Sequence, residues 1–495
     1  MITYKHTSKL PSENLISTLR TSLASSAWLI LPLFVLIVTF GVFIGYGVSR
    51  LHFAIPIGLA IAIPLFVMWI RQPFTAIIVW LLVAPFFVVT VDGPLRITYW
   101  FTHRMIIPLA AVIAVLNGTA RGRGLRLGWV DFFLVAHLLI TIFSVLYHFP
   151  NPKQGFIEIY DLVFVWMALF WLIRMTAPRE TQFRQLVGAL IVVCLVQGVV
   201  GIMMNISVTR PLLPEHWITS KRTTGTLFRA AEFSSTVMAS MLLITYYSFH
   251  ARKRWIRILG LIALSAGGLA VTFSFSRGTW IASSSVLLLF MVFYRRVIPY
   301  MLTLVPIIAL LATINVFSDA RTFAQERIGV QNTIDVRIIS DHAALGMIAA
   351  KPLLGWGYDN FTRDHLDFVE PVGNTPVTDP YLSSHHTYLG MAAELGLVGL
   401  ATFLMPWLLL LKRSISRYKQ LPQEGFYSRY LLLVLWLGIL FWFIVTNSMN
   451  MRLAPWGMTW LGFLLGLIAS MVDATEELPE SRSINSSAIK PVIAR

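Results

Sequence analysis

The chain has 495 residues, of which 57% are hydrophobic and only 13% charged, whereas a soluble domain carries about 25% charged residues. Apolar runs of about 20 residues recur from Ala27 to Met471, each long enough to cross a hydrocarbon core of ~30 Å. This excludes a soluble globular protein, and the lack of period-two alternation excludes a closed β-barrel. The formal net charge of +16 does not call for a nucleic-acid partner, because the basic residues are scattered through short loops between the apolar runs.

The expected fold class is therefore all-α, a polytopic membrane protein of about 12–14 transmembrane helices. In chain order, residues 1–26 form a polar cytoplasmic tail with no cleavage site. Residues 27–317 form a first membrane bundle of about 11 spans. Residues 318–385 form a large external loop, 386–472 a second bundle of three spans, and 473–495 a short polar tail. With both termini in the cytoplasm, the inside loops collect the dense basic clusters Arg121, Arg123, Arg126; Arg252, Lys253, Arg254, Arg257; and Lys412, Arg413, Arg417, Lys419. That asymmetry follows the positive-inside rule and puts 318–385 outside the cytoplasm.

Two external segments run against the charge rule. The loop 207–230 carries Arg210, Lys221, Arg222 and Arg229, and the turn FSFSRGTW carries Arg277 between two apolar runs. A lone loop arginine usually snorkels to headgroups, whereas this grouping also suits an external anion site. Asp131 and Asp161 fall near the ends of spans, and Arg452 at the start of the last span reads as a snorkelling residue.

The long loop has structure of its own. Thr333–Ala350 places Ile334, Val336, Ile338, Ile339, Ala343, Leu345 and Ile348 at helical spacings, which suits a helix on the membrane surface or packed over the spans. It should stop before Lys351-Pro352. PLLGWGYDNF then offers two glycines for a tight turn, and the Pro/Gly-rich 371–380 reads as a link.

At the end of this loop comes YLSSHHTYLGMAAELG, residues 381–396, where His385, His386 and Glu394 cluster at the mouth of an apolar run. Ionisable groups are costly at membrane depth, so each is a functional candidate. Ser383 and Ser384 suit helix N-caps, and Glu394 suits bracing of the fold or pairing with a cation. The single cysteine, Cys194, excludes an internal disulfide and a thiolate metal site. Gly-rich phosphate loops, GxSxG elbows and zinc spacings are absent from the sequence.

These residues resemble the signature of the O-antigen ligase/polymerase superfamily of bacterial membrane proteins. The pattern His, Asn, two residues, Leu, four residues, Glu, one residue, Gly falls on His385, His386, Leu389, Glu394 and Gly396, with His386 in place of the usual Asn. KPLLGWGYDNF is similar to the family's Pro-Leu-Leu-Gly-x-Gly segment, FSFSRGTW to its Ser-Arg-Gly turn, and RTTGTLFRAAEF to its Arg-x-x-Gly-Thr segment, although Ala231-Glu232 stands where Pro-Asn is common.

The resemblance implies a C-type glycosyltransferase-like enzyme of the bacterial cytoplasmic (inner) membrane. Such an enzyme takes a glycan from an undecaprenyl-pyrophosphate-linked donor and gives it to a glycan or lipid A core acceptor, without metal, nucleotide or other cofactor. It would act as an O-antigen or exopolysaccharide polymerase or as an O-antigen ligase, with inversion at the sugar. The chemistry asks for cations on the departing pyrophosphate, which arginine binds bidentately, and for a base on the acceptor hydroxyl, which histidine supplies near neutral pH. The resemblance gives Arg222 and Arg277 the first task and His385 the second, with His386 the alternative histidine. Arg229, Arg337 and Glu394 are secondary candidates, followed by Arg210 and Lys351. The other functional classes open to such a chain are a glycan-lipid transporter or exporter and a peptidoglycan-polymerase-like enzyme.

Overall fold

A computed structural model describes residues 64–88, 96–120, 127–148, 151–218, 222–314, 317, 322, 332–370 and 383–476. The expected tail 1–26, the apolar run 27–47, most of 51–70 and residues 477–495 of the expected tail 473–495 lie outside these residues, while 473–476 continue the last helix. The chain divides into Met1–Thr75 and Ala76–Arg495. In the first, residues 64–71 are helical, and the Thr75 hydroxyl donates to the Gln72 carbonyl at 2.7 Å.

Ala76–Arg495 is all-α, and no strand occurs among the described residues. Its elements are α1 (Phe74–Val83, which begins just before the division), α2 (Ile106–Ala120), α3 (Trp129–His148), α4 (Pro152–Ile159), α5 (Val165–Thr176), α6 (Glu180–Met203), α7 (Ala230–His250) and α8 (Arg254–Thr272). They continue with α9 (Arg277–Phe293), α10 (Ile298–Ala312), α11 (Asn332–Ala350), α12 (Thr387–Arg417), α13 (Arg429–Val445) and α14 (Pro455–Glu476). π-Helical segments, Trp100–Met105 before α2 and Tyr160–Phe164 between α4 and α5, extend those helices.

Among the described residues, 7 helices are long and apolar enough to cross a membrane. The chain is thus a multi-pass membrane protein. The expected tenth and eleventh spans are shorter than spans need to be: α9 has 17 residues and α10 has 15. They break at Tyr294 and meet at 114°, so only as a bent pair do they match a crossing. Phe74–Phe86 and Arg429–Val445 are shorter apolar helices.

α7 explains why a polar stretch can sit among spans. Every residue from Ala230 to Tyr247 is buried, because α6, α8 and α13 pack around it. Three of its hydroxyls are satisfied within the helix: Ser234, Thr236 and Ser240 donate to carbonyls four residues back at 2.7, 2.8 and 2.7 Å. Elsewhere α8 packs on α6, α14 on α5, α12 on α3, and α9 on α13.

The feature that positions the candidate site is a break in α12. Gly396 has φ 69° and ψ −178°, which interrupts the helix. The interruption removes local competitors for the carbonyls just before it. Ala393 O accepts from Trp356 N at 3.0 Å and Glu394 O from Gly357 N at 2.8 Å. In return Leu397 N donates to Pro352 O at 2.8 Å and Val398 N to Leu353 O at 3.3 Å. The PLLGWG loop therefore docks into the break by backbone pairing. Such close approach leaves no room for side chains: a Cβ on Gly396 would lie 2.0 Å from Leu353 O, and one on Gly355, itself at φ 69°, would lie 2.4 Å from Glu394 O. Both positions need glycine for space and for backbone conformation.

Replacing Gly396 or Gly355 with Ala is therefore expected to cost about 1–3 kcal/mol or more in strain and displaced backbone. Limited proteolysis within 351–364 and thermal unfolding in detergent should both show the loop loosened.

Candidate functional site

Several chain segments far apart in sequence meet around the start of α12. The first is 222–229. Gly225 adopts φ 60°, and a Cβ there would lie 2.2 Å from Gln197 Oε1. Gln197 of α6 holds the segment by accepting from Thr226 N at 3.0 Å and donating to Thr226 Oγ1 at 2.6 Å. The Thr223 hydroxyl donates to Phe273 O at 2.8 Å. Arg222 is thereby fixed beside the 273–276 turn, the segment that leads into Arg277. Phe275 in that turn has φ 48°, and the Ser276 hydroxyl accepts from Thr279 N at 3.4 Å, so Arg277 is the first residue of α9. Arg222 is half-buried and Arg277 exposed.

The second meeting is between α9 and the 446–450 turn that follows α13. A Cβ on Gly278 would fall 2.0 Å from Ser448 Oγ. The same turn clasps the start of α12: Thr446 O accepts from Thr387 N at 3.0 Å, and the Thr387 hydroxyl donates to Met449 O at 3.0 Å and accepts from Met451 N at 2.9 Å. Arg277 and the two histidines thus flank one turn.

The histidines have different surroundings. The expected N-caps, Ser383 and Ser384, do not cap α12. His386 is the N-cap residue, its Nδ1 accepting from Leu389 N at 3.4 Å. Ser384 instead braces His386, accepting from its N–H at 3.3 Å and donating to its carbonyl at 3.0 Å. Capping commits His386 Nδ1 as an acceptor. His385, half-buried, carries no such duty. Burial, then the charges of Arg337 and Arg229, hold its pKa below the ordinary histidine value. The His386 pKa is also lowered, by burial against the opposing pull of Asp341 and a hydrogen bond to Asn447. Arg337 lies on α11, which is tied to the histidine segment by the Ser340 hydroxyl donating to Ser383 O at 3.2 Å. Arg229 immediately precedes α7, and its backbone N–H donates to the Glu232 carboxylate at 3.2 Å.

Glu394 lies two turns further along α12 and is 1% exposed. Its carboxylate accepts from Asp359 N at 2.6 Å and Phe361 N at 3.3 Å. It is also paired with Arg452, which is 2% exposed. Arg452 is thus no snorkelling residue: it is enclosed, with its guanidinium 5.4 Å from the Tyr358 ring centroid. Its pairing with Glu394, 58 positions away, is invisible in a linear reading, where it stands alone in a short turn. Asp359, at φ 57°, has its pKa pushed up to about 7 by burial and then by the charges of Glu394 and Glu158, against the opposing Arg452.

The sequence-based candidates thus fall into two groups. His385, His386, Arg229 and Arg337 are electrostatically linked, with Arg222 and Arg277 anchored on the adjoining turns. Glu394 belongs to the loop clasp. Asp341, beside His386, carried no sequence signal of its own; its α11 spacing to Arg337, four residues earlier, was the available clue. No group of acidic, histidine or cysteine side chains among the described residues is arranged to hold a metal. Arg210 opens a short 3-10 turn, and Lys351 Nζ lies 3.7 Å over the Trp356 ring.

A multi-pass helical membrane protein with a histidine–arginine cluster at one helix mouth is the class that this fold and geometry define. Residues 262–404 match the family model described as O-antigen ligase. The match supports the resemblance of this segment to the O-antigen ligase/polymerase superfamily. It takes in Arg277, Arg337, His385, Glu394 and Gly396, and leaves Arg222, Arg229 and Arg452 outside. No curated protein matches the chain significantly.

Glu394→Gln leaves a buried guanidinium without its counter-charge and is expected to destabilise the fold by about 3–5 kcal/mol. Adding Arg452→Met should recover most of that loss; thermal unfolding in detergent checks both. The Asp359 contribution has the opposite pH sense from an ion-paired carboxylate. Its folded-state pKa is raised, so the stability it contributes is complete below about 3.9, the unfolded value, and is lost as pH rises through about 7. Unfolding midpoints measured between pH 5 and 8 should fall for the parent protein and flatten for Asp359→Asn.

Proposed function

We propose that this protein transfers a glycan from an undecaprenyl-pyrophosphate-linked donor to an acceptor hydroxyl, on the external face of the bacterial inner membrane. The observation that carries this reading is the meeting of His385 with Arg229 and Arg337, beside the turns that hold Arg222 and Arg277. In the proposed step the acceptor oxygen bonds to the sugar C1 as its proton passes to a ring nitrogen of His385. The C1–oxygen bond to the pyrophosphate breaks, and its electron pair leaves on the pyrophosphate. A single displacement inverts the anomeric centre.

Arg222 and Arg277 bind the departing pyrophosphate. Cations fixed before the reaction need no reorganisation as charge develops, and one such contact is worth about 3–4 kcal/mol. Arg229 and Arg337 serve a further purpose: with burial, they keep His385 unprotonated near neutral pH and so able to accept a proton. His386 shapes the helix mouth. The acceptor is a second lipid-linked glycan if the enzyme is a polymerase and the lipid A core if it is a ligase.

A transporter is less well served by the buried carboxylates. Asp161 is occupied by Arg104 Nε and Nη2, both at 2.6 Å, and by Tyr99 OH at 3.2 Å. Asp131 accepts from Arg174 Nη1, from Trp171 Nε1 at 2.9 Å and from Gly128 N at 2.8 Å. Both are saturated by the fold, whereas ion-coupled carriers place carboxylates where they can exchange partners.

His385→Ala is expected to abolish transfer in purified, folded protein; product at the parent level would remove His385 from the chemistry. Arg277→Lys should remain badly impaired although the charge is kept, because the bidentate fork is lost. Arg337→Gln removes a charge that lowers the His385 pKa. The acid limb of kcat/KM should then move to higher pH, and an unchanged limb would separate Arg337 from His385.

A further inference from the structure

The polar groups around His385 are not all cationic. α11 presents Arg337, Ser340 and Asp341 at helical spacings of three and four, and the Ser340 hydroxyl anchors this helix to Ser383, two residues before His385. Asp341 is half-buried. Its Oδ1 is enclosed and takes no hydrogen bond from the protein. The charged and titratable groups that act on it are His386, at the start of α12, and Arg337 and His342 on its own helix. A carboxylate oxygen enclosed beside His386 and left unused by the fold carries a desolvation cost, one that a hydrogen-bond donor from a bound molecule relieves.

The position relative to the arginines gives the site two sides. Arg277 adjoins the 446–450 turn through Gly278 and Ser448, and Arg222 is tied to Phe273 through Thr223. Asp341 stands on α11, tied to His385 through Ser383. A carboxylate repels pyrophosphate and accepts from hydroxyls, so it belongs to the side of the acceptor. The 446–450 turn adds an amide: Asn450 is 5% exposed, and neither its Oδ1 nor its Nδ2 has a partner in the protein. Asn450 Nδ2 and Ser384 Oγ lie 3.3 and 2.8 Å from one point over Gly390, and Ser384 directly precedes His385 in sequence. An unused carboxylate oxygen and an unused amide near the histidine segment suit neighbouring hydroxyls of a sugar.

We infer that Asp341 is an acceptor-binding residue whose carboxylate takes a hydrogen bond from a hydroxyl adjacent to the one that attacks, so that the acceptor is a sugar presenting neighbouring hydroxyls. This rests on the glycan-transfer reading above. Asn450, whose amide is enclosed and unused by the protein, offers a further donor and acceptor near the histidine segment.

The test uses the full-length protein in detergent. The donor is a labelled undecaprenyl-pyrophosphate-linked repeat unit. The acceptor is either a short-chain polyprenyl-linked repeat unit or lipopolysaccharide truncated to its core. Asp341→Ala is expected to raise the KM for the acceptor at least about tenfold, as befits a lost hydrogen bond to a charged group, with the donor KM unchanged. Asp341→Asn, whose amide oxygen still accepts, should recover part of that loss. Unfolding midpoints distinguish misfolding from lost binding. An acceptor KM within twofold of the parent, or a donor KM that rises in step with it, overturns the inference. Absence of any product from the parent protein with both acceptors overturns the transfer reading itself, before any variant is compared.

Discussion

The arrangement depends on one docking event, the insertion of the 352–361 loop into the break of α12 at Gly396. Two kinds of interaction hold it. Backbone groups of the loop and helix pair with each other, and the Glu394 carboxylate collects Asp359 N, Phe361 N and the Arg452 guanidinium in an enclosed space. Backbone amides, a carboxylate and a guanidinium are all expensive to bury alone. Each is tolerated here because the others are present, which makes the junction all-or-none. The loop, α12 and the turn that carries Arg452 are thereby joined at a fixed distance from the start of α12, where His385 stands.

The electrostatics follow from that placement. Cations approach the helix mouth from separate elements: Arg222 and Arg229 from the α6–α7 connection, Arg277 from the start of α9, and Arg337 from α11. Burial, and then the charges of Arg337 and Arg229, hold His385 below its ordinary pKa. In the proposed reaction this keeps His385 available as a base beside the cations proposed to receive the donor.

Much of this was legible in the sequence. The all-α membrane class followed from the apolar runs, and the loop helix, its stop before Pro352 and the two turn glycines appeared where the spacing put them. The signature residues His385, Glu394 and Gly396 lie close together in sequence, so local reading found them. What escaped depends on partners brought together only by folding. Arg452 looks like a lipid-facing arginine until Glu394 is placed beside it. Ser384 looks like a cap until the helix is seen to begin one residue after His386. The bent pair α9–α10 looks like two spans, because apolar length does not reveal the break at Tyr294. α7, expected from the sequence as a span over 231–249, is not among the helices apolar enough to cross a membrane; its hydroxyl-rich sequence goes with burial among other helices.

The most direct measurement of the account is an experimental structure of the protein with a non-hydrolysable phosphonate analogue of the undecaprenyl-pyrophosphate-linked sugar. The account predicts the pyrophosphate group within hydrogen-bond reach of Arg222 and Arg277, with the anomeric carbon facing His385 and the α11 side left open for the acceptor. A pyrophosphate bound elsewhere, such as at Lys351 and Arg363, with His385 remote from the anomeric carbon, would contradict it.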